Sequence, residues 1–142
     1  MIKTHMQPVE PRRDKYKVSE LIGKKLDWAV ATALNMIVYT SKRGDLMTAP
    51  YGEFNQRQGI PYWAPSTDWA QGGPLIQRFG IGIDGLGPDA VVQGQVEAFI
   101  WPDEIAVDFP ITMVGPTPLV ACMRCLVADR MGMEIELTGE LL

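Results

Sequence analysis

A single cationic side chain stands in the most apolar helical stretch of the sequence. Arg124 is the only charged residue between Thr117 and Ala128, where the spacing of apolar residues predicts a buried helix. A guanidinium that has lost its water needs an anion. Two partners are open: Asp68, in a structural ion pair between two helices, or the phosphate or carboxylate of a ligand, helped by the free amides at the helix start.

Aromatic and short polar side chains crowd a proline-rich loop and the helix that the loop enters. This mixture suits a flat heterocycle, because aromatic faces stack on it while short polar groups bind its edges. The alternative is that the tryptophans only fasten the loop to the core. Arg78, near the end of the same helix, either assists binding or points to solvent. The predicted ligand-binding residues are Trp63, Ser66, Thr67, Asp68, Trp69, Gln71, Arg78, Thr117 and Arg124.

The common catalytic arrangements find little support in the sequence. A nucleophilic triad needs a base, and the single histidine, His5, lies near the N-terminus. The densest acidic group, Asp103, Glu104 and Asp108, is explained by a turn between two strands. The glycine-rich residues 80–94 lack the Lys-Ser/Thr ending of a phosphate loop and favour a hairpin turn. We therefore predict a non-catalytic protein with no cofactor.

Two cysteines, Cys122 and Cys125, have the spacing of a zinc or redox pair. Two thiolates are half of a tetrahedral zinc site, so a metal would need a second subunit. The pair also lies within an apolar helical stretch, whereas a redox motif exposes its first thiol at a strand-to-helix turn. We expect buried core thiols and no metal.

Length and charge restrict the class of protein. The 142 residues suffice for one domain, and 46% apolar against 21% charged residues is ordinary globular usage. Residues 1–17 carry five basic and two acidic side chains, or +3, which leaves −7 of the net charge of −4 to the remainder. An acidic body repels phosphate backbones, so duplex nucleic acid is a poor partner. No apolar stretch reaches membrane-spanning length and no secretory signal pattern is present, so we expect a cytoplasmic protein without membrane contact.

Periodicity and capping residues predict three helices. The first follows Ser19 and extends to about Asn35, although Gly23 can delay its start. The second covers residues 67–79, with Ser66 or Thr67 as cap, and is kinked or split at Pro74. The third has Thr117 as cap, Pro118 in its first turn and Gly132 as its stop, and is apolar nearly all round.

Strands are predicted between the helices. They cover residues 36–40, one short segment within 46–65, a strand beginning at Ile81, and residues 91–101, paired as a hairpin with residues 105–109. The resulting fold class is α+β, or an α/β sandwich: one mixed or mainly antiparallel sheet of about 4–5 strands covered by three helices, in the order α-β-β-α-β-β-β-α. Residues 1–17 are predicted to be a flexible basic arm, and 18–142 a single globular domain.

Three stretches resemble a known family. They are residues 26–31 (LDWAVA), 65–76 (PSTDWAQGGPLI) and 115–124 (GPTPLVACMR). They are similar to the NinX-like family of small tailed-phage and prophage proteins, over roughly residues 17–133, and more remotely to phage domains described as α/β/α sandwiches. The resemblance implies a phage origin and that fold, but no catalytic residues, because the family's activity is not established. The arm at 1–17 and an insert within 41–61 depart from the family pattern.

Two functions of different classes follow from these observations. The first is a phage or prophage accessory protein that binds a small anionic nucleotide-like ligand and thereby sequesters a host defence signal. The second is a protein-interaction module that binds or inhibits a host protein through the acidic surface and the basic arm. In both cases we expect a homo-oligomer.

Overall fold

A computed structural model describes residues 13–48, 62–85, 95–103 and 108–138. These residues form three helices and seven strands, which confirms the α+β class. The helices are α1 (Gly23–Ala33), α2 (Trp69–Phe79) and α3 (Pro118–Met131), and a single 3-10 turn (Val18–Glu20) precedes α1. The strands are β1 (Arg13–Lys17), β2 (Val38–Thr40), β3 (Leu46–Thr48), β4 (Gly82–Gly85), β5 (Val96–Ile100), β6 (Ile111–Gly115) and β7 (Glu134–Thr138).

The central element is α3, and local signals set both of its ends. The Thr117 hydroxyl accepts a hydrogen bond from the amide of Val120 at 3.2 Å, and Pro118 occupies the first turn, where its missing N–H costs nothing. Gly132 ends the helix at φ 95°, a conformation that a side chain would strain. Every residue in 119–128 is buried, because α1, α2, β5 and β6 all pack against this helix. The predicted apolar helix and its caps are confirmed.

The described strands pair in three separate antiparallel sheets. β1 pairs with β7, β2 with β3, and β4, β5 and β6 form a three-stranded sheet. The prediction of one sheet of four or five strands is therefore not confirmed. The predicted hairpin is also corrected: β5 pairs with β4 and β6, for example Ala98 with Ile83 and Met113, while Asp108 and Phe109 form a bend. Residues 91–94 and 104–107 lie outside the described residues.

The N-terminal boundary also differs from the prediction. Residues 13–17 of the predicted arm form β1, in which Tyr16 lies opposite Ile135 and Lys17 opposite Glu134. Regular structure therefore begins before residue 18, because β7 offers an alternating partner with Ile135 and Leu137 buried. Residues 1–12 of the arm lie outside the described residues.

Helix α2 is continuous from Trp69 to Phe79 despite Pro74, so of the two predicted alternatives, a kink or a split, the split does not occur. Gly80 ends it at φ 62°, ψ 41°, the left-handed cap that the sequence predicts. Gly72 lets α2 lie close to its neighbours, since a Cβ at this position would meet the Pro65 carbonyl oxygen and come within 2.6 Å of Leu119 Cδ2. Among the described residues no helix has the length and apolar character needed to cross a membrane.

Candidate functional site

The loop before α2 is held in place by one residue of α1. The Trp63 indole N–H donates to the Asp27 carbonyl oxygen at 2.8 Å, and the Ser66 amide donates to Asp27 Oδ1 at 2.8 Å. Trp63 is 1% exposed and Asp27 4%. Asp27 thus connects both ends of residues 63–66 to α1. Trp63 itself packs in the core.

A second residue, Gln71, fastens the loop from the α2 side. Its Oε1 accepts from the Ala64 amide at 2.7 Å, and its Nε2 donates to the Tyr62 carbonyl at 3.0 Å. Gln71 is fully buried, so both ends of its amide are used within the protein. Asp68 also acts locally, because its Oδ1 accepts from the Ala70 amide at 2.9 Å and caps α2. Thr67 and Ser66, predicted as alternative caps, are replaced in that role by Asp68.

A cavity of about 360 Å³ lies where the three helices begin. Its wall contains the first residues of each helix: Gly23 of α1, Trp69 of α2, and the α3 cap Thr117. Trp69 is 54% exposed although it is a large aromatic side chain. We call this the helix-start cavity, lined by Ile22, Gly23, Ser66, Thr67, Trp69, Pro116, Thr117, Leu119 and Val120.

Arg124 is buried outside the lining of this cavity, and its guanidinium binds main-chain oxygens. Its Nε donates to the Leu21 carbonyl at 2.8 Å and its Nη1 to the Val114 carbonyl at 2.7 Å. The predicted ion pair with Asp68 is not formed, and in the part of the chain that the structure describes no carboxylate lies within salt-bridge distance of this guanidinium. Burial lowers the pKa of Arg124 from its ordinary value. The side chain, 9% exposed, joins the segments that lead into Ile22 and Pro116.

The carboxyl group of Asp27 is the most perturbed acid near the cavity. Burial raises its pKa from 3.8 to about 6, and the Ser66 hydroxyl and amide oppose that rise. The Ser66 hydroxyl faces this carboxylate, and its buried Oγ has no other hydrogen-bond partner among the described residues. The loop therefore depends on an acid that changes charge near neutral pH.

A comparison with known protein families shows the family of this chain. The model of the family described as Bacteriophage P22, NinX, matches residues 17–130. The chain belongs to the NinX family. No curated protein sequence matches it.

The matched span of this NinX chain contains every residue of the helix-start cavity. The stretches 26–31, 65–76 and 115–124, which carry the resemblance in the sequence, supply Asp27, the loop with α2, and the start of α3. Ser66, Thr67, Trp69 and Thr117 of the predicted set line the cavity. Most of the residues that line the cavity therefore lie in the stretches that carry the family resemblance.

Several predicted residues of the NinX chain do not line the cavity. Trp63, Gln71 and Arg124 are buried and do not line it, and Asp68 caps α2. Arg78 is exposed, with its guanidinium 4.9 Å from the Phe79 ring centroid, a ring that Arg130 also contacts at 4.8 Å.

Sequence reasoning missed Asp27 and the α1 start at Ile22 and Gly23. The signal for Asp27 was the same as for Arg124: a charged residue among apolar neighbours on a helix. Nothing local marks Ile22 and Gly23, because the cavity exists only when α1 meets the other two helices.

A second cavity, of about 430 Å³, lies near the C-terminal ends of α3 and β5. Asp129, Arg130 and Asp103 line it together with Pro102 and Ile111. Burial raises the pKa of Asp129, while Arg130, at 3.8 Å, opposes the rise. Two of its charged side chains, Asp129 and Arg130, thus already interact with each other. None of the predicted ligand-binding residues lines this cavity.

The two thiols lie in the core of the NinX chain. Cys122 and Cys125 are fully buried and unpaired by any disulfide, and burial raises the pKa of each to about 12. The Cys125 thiol donates to the Ala98 carbonyl at 3.1 Å, across to β5. The prediction of buried core thiols is confirmed.

Proposed function

We propose that this phage accessory protein binds a small planar anionic ligand of nucleotide-like chemistry in the helix-start cavity. The observation that carries the proposal is a cavity of about 360 Å³ with a half-exposed tryptophan in its wall and the first residues of three helices around it. Its volume is at the lower end of the range for ligand pockets, roughly 300–1,000 Å³. A ligand no larger than a mononucleotide suits that space.

Trp69 supplies the surface for a planar group. A large aromatic side chain normally gains by burial, and Trp69 remains 54% exposed at the first position of α2. Stacking of a base on an aromatic ring contributes roughly 1–3 kcal/mol, so a ring seated against Trp69 would bury this surface and hold the ligand. Thr67 and Thr117 also line the cavity, and their hydroxyls would supply hydrogen bonds to polar edges of the ligand.

The helix starts favour a negative charge on the ligand. The N-terminal end of each helix carries partial positive charge, and three such ends border one cavity. The Asp68 carboxylate offsets this charge at the start of α2, so the preference for an anion comes from the starts of α1 and α3. The polar side-chain groups of the described wall residues are three hydroxyls and the Trp69 indole N–H, and the Thr117 hydroxyl already accepts a hydrogen bond from the Val120 amide. Such a wall suits binding better than covalent chemistry. Binding without turnover would allow the protein to sequester a host signalling nucleotide.

The test compares two tryptophans of nearly equal exposure. Trp69 is 54% exposed in the cavity wall, and Trp101 is 56% exposed away from it. The wild type, Trp69→Ala and Trp101→Ala are titrated by calorimetry with nucleoside monophosphates and with cyclic mononucleotides. We expect saturable binding by the wild type and by Trp101→Ala, and its loss in Trp69→Ala. The proposal is refuted if no nucleotide binds, or if Trp69→Ala binds as the wild type does.

A second candidate, binding of a host protein, is favoured by a different surface. Trp101 is 56% and Phe109 80% exposed, beside the ends of β5 and β6. Exposed aromatic side chains are enriched at protein interfaces. A Trp101→Ala, Phe109→Ala double variant should lose a captured host protein that the Trp69→Ala variant retains. Assembly into a homo-oligomer stays a prediction, which light scattering on the purified protein would test.

A further inference from the structure

We infer that Asp27 sets the charge beside the helix-start cavity, and that binding of an anionic ligand there takes up a proton on the Asp27 carboxyl group. This coupling rests on the proposed function, because it describes how binding in the same cavity is regulated. It assigns a role in binding to a residue that does not line the cavity, and it makes the affinity depend on pH.

The Asp27 carboxyl group contacts the cavity wall from its buried side. Ser66, which lines the cavity, donates its amide to Asp27 Oδ1 at 2.8 Å and faces the same carboxyl group with its hydroxyl. The Asp27 carbonyl oxygen also accepts from the Trp63 indole N–H at 2.8 Å. Asp27 is 4% exposed. A charge on this carboxyl group therefore acts on a ligand across the wall, with little water to screen it.

No cation in the described part of the chain pairs with this carboxyl group. Burial is the main cause of the raised pKa of Asp27, and the two opposing contributions both come from Ser66. Arg124 of α3 donates instead to the carbonyl oxygens of Leu21 and Val114. The other titratable or charged residues on α1, on the loop and on the elements around them do not contribute to this rise in pKa: Tyr16, Glu20, Lys24, Lys25, Tyr39, Tyr62, Asp68, Cys122, Cys125, Asp129, Arg130, Glu134 and Glu136.

An anionic ligand and an ionised Asp27 oppose each other. The two negative charges would lie on either side of Ser66, in a region that holds little water, where like charges repel. Binding is therefore stronger when Asp27 is protonated, and by reciprocity the bound ligand favours the protonated acid. Protonation keeps the loop in place, because the neutral carboxyl group still accepts from the Ser66 amide and can donate its new proton to Ser66 Oγ.

The pKa of Asp27 places this exchange near neutral pH. Burial raises the pKa to about 6 in the free protein, and the charge of the ligand would raise it further. Two like charges roughly 10 Å apart, at an effective dielectric constant of about 20, change an affinity on the order of tenfold, which corresponds to about one pKa unit. The affinity should thus be highest below about pH 5, fall on the order of tenfold between about pH 6 and 7, and stay constant above about pH 8.

Calorimetric titration with a cyclic mononucleotide tests the coupling. Its phosphodiester keeps one negative charge over this range, whereas the phosphate of a nucleoside monophosphate has a second pKa of about 6 and would imitate the effect. Affinities are measured between about pH 5 and 8, and titrations in buffers of different ionisation enthalpy count the protons taken up. We expect the wild type to take up about half a proton per ligand at about pH 6.5.

Two variants assign the proton to Asp27. Asp27→Asn keeps an acceptor for the Ser66 amide but has no carboxyl group to protonate. It should match the wild type at about pH 5, bind on the order of tenfold more tightly at about pH 8, and take up no proton. Asp68→Asn is the matched control, because it removes the second carboxylate near the cavity and keeps a capping side chain for α2. Asp68 is partly exposed to water, so this variant should retain the proton uptake of the wild type.

A measurement on the wild type alone keeps the test independent of either variant. The nuclear magnetic resonance signal of the Asp27 carboxyl carbon should titrate about one pH unit higher at saturating cyclic mononucleotide than in the free protein. An unchanged midpoint, or a pH dependence of binding that persists in Asp27→Asn, overturns the coupling. If that binding still depends on Trp69, the proposed function stands. Absence of nucleotide binding at every pH in the range refutes both.

Discussion

Replacing Asp27 by asparagine should make the protein more stable at neutral pH. The Asp27 carboxyl is 4% exposed, and burial raises its pKa from 3.8 to about 6. Its Oδ1 accepts from the Ser66 amide, and an asparagine Oδ1 can accept the same hydrogen bond. The Ser66 hydroxyl interacts with the same carboxyl group, and a hydroxyl can donate to or accept from an asparagine side chain. The substitution therefore removes a charge and keeps the connection.

The magnitude follows from the shift in pKa. Because the folded-state pKa lies above the unfolded value, the contribution of this group to stability is fully present below pH 3.8 and is lost as pH rises through about 6. A rise of about two units corresponds to about 3 kcal/mol, at about 1.4 kcal/mol per unit. Wild type and Asp27→Asn should thus differ little near pH 4, and by as much as about 3 kcal/mol at pH values well above 6.

Urea denaturation followed by circular dichroism, at several pH values between 4 and 8, measures this difference. Asp84→Asn, at an exposed position in β4, is the matched control and should leave the pH dependence of the wild type in place. A gap between wild type and Asp27→Asn that stays constant across the pH range would show that Asp27 does not titrate in the folded protein. A gap that grows towards low pH would reverse the sign of the reasoning.

Three further outcomes are expected from the packing of the core. Arg124→Met should lower the free energy of unfolding by about 3 kcal/mol, since it removes the guanidinium donor from one buried and one partly buried carbonyl oxygen. A change below about 1 kcal/mol in urea denaturation would contradict this role. Gly72→Ala should destabilise the protein by more than about 2 kcal/mol, because its Cβ overlaps the Pro65 carbonyl oxygen and Leu119; a change below about 1 kcal/mol in thermal melts would exclude this close approach. Cys122 and Cys125, each with its pKa raised to about 12, should react with a thiol reagent at pH 8 only after unfolding, and rapid labelling of the native protein would show that the α3 core opens.

Features that depend on neighbouring residues were determined by the sequence alone. Thr117, Pro118 and Gly132 fix the ends of α3, and Gly80 ends α2, because caps and left-handed turns are made by hydrogen bonds within a few residues. Burial of α3 on all sides likewise follows from a helix with hardly a polar face. The family was also recognisable from three short stretches of sequence.

Strand pairing was decided by the tertiary structure. The alternating pattern of residues 134–137 is readable as a strand, but nothing local indicates that its partner is residues 13–17, at the other end of the chain. The choice of β6 over residues 105–109 as the partner of β5 is similar, since both follow a turn signal. Which pair forms depends on the apolar area that each buries against α3, a quantity that appears only when the elements meet.

The candidate site shows the same division most clearly. The sequence identified Arg124 as an unusual buried charge and named Asp68 or a ligand as its partner. The structure instead gives it the carbonyl oxygens of Leu21 and Val114, because main-chain carbonyl groups that packing removes from water also accept hydrogen bonds from a guanidinium. The helix-start cavity depends on where three helices begin in space. Sequence gives the start of each helix, and only the packing of α1 and α2 against α3 brings those starts together.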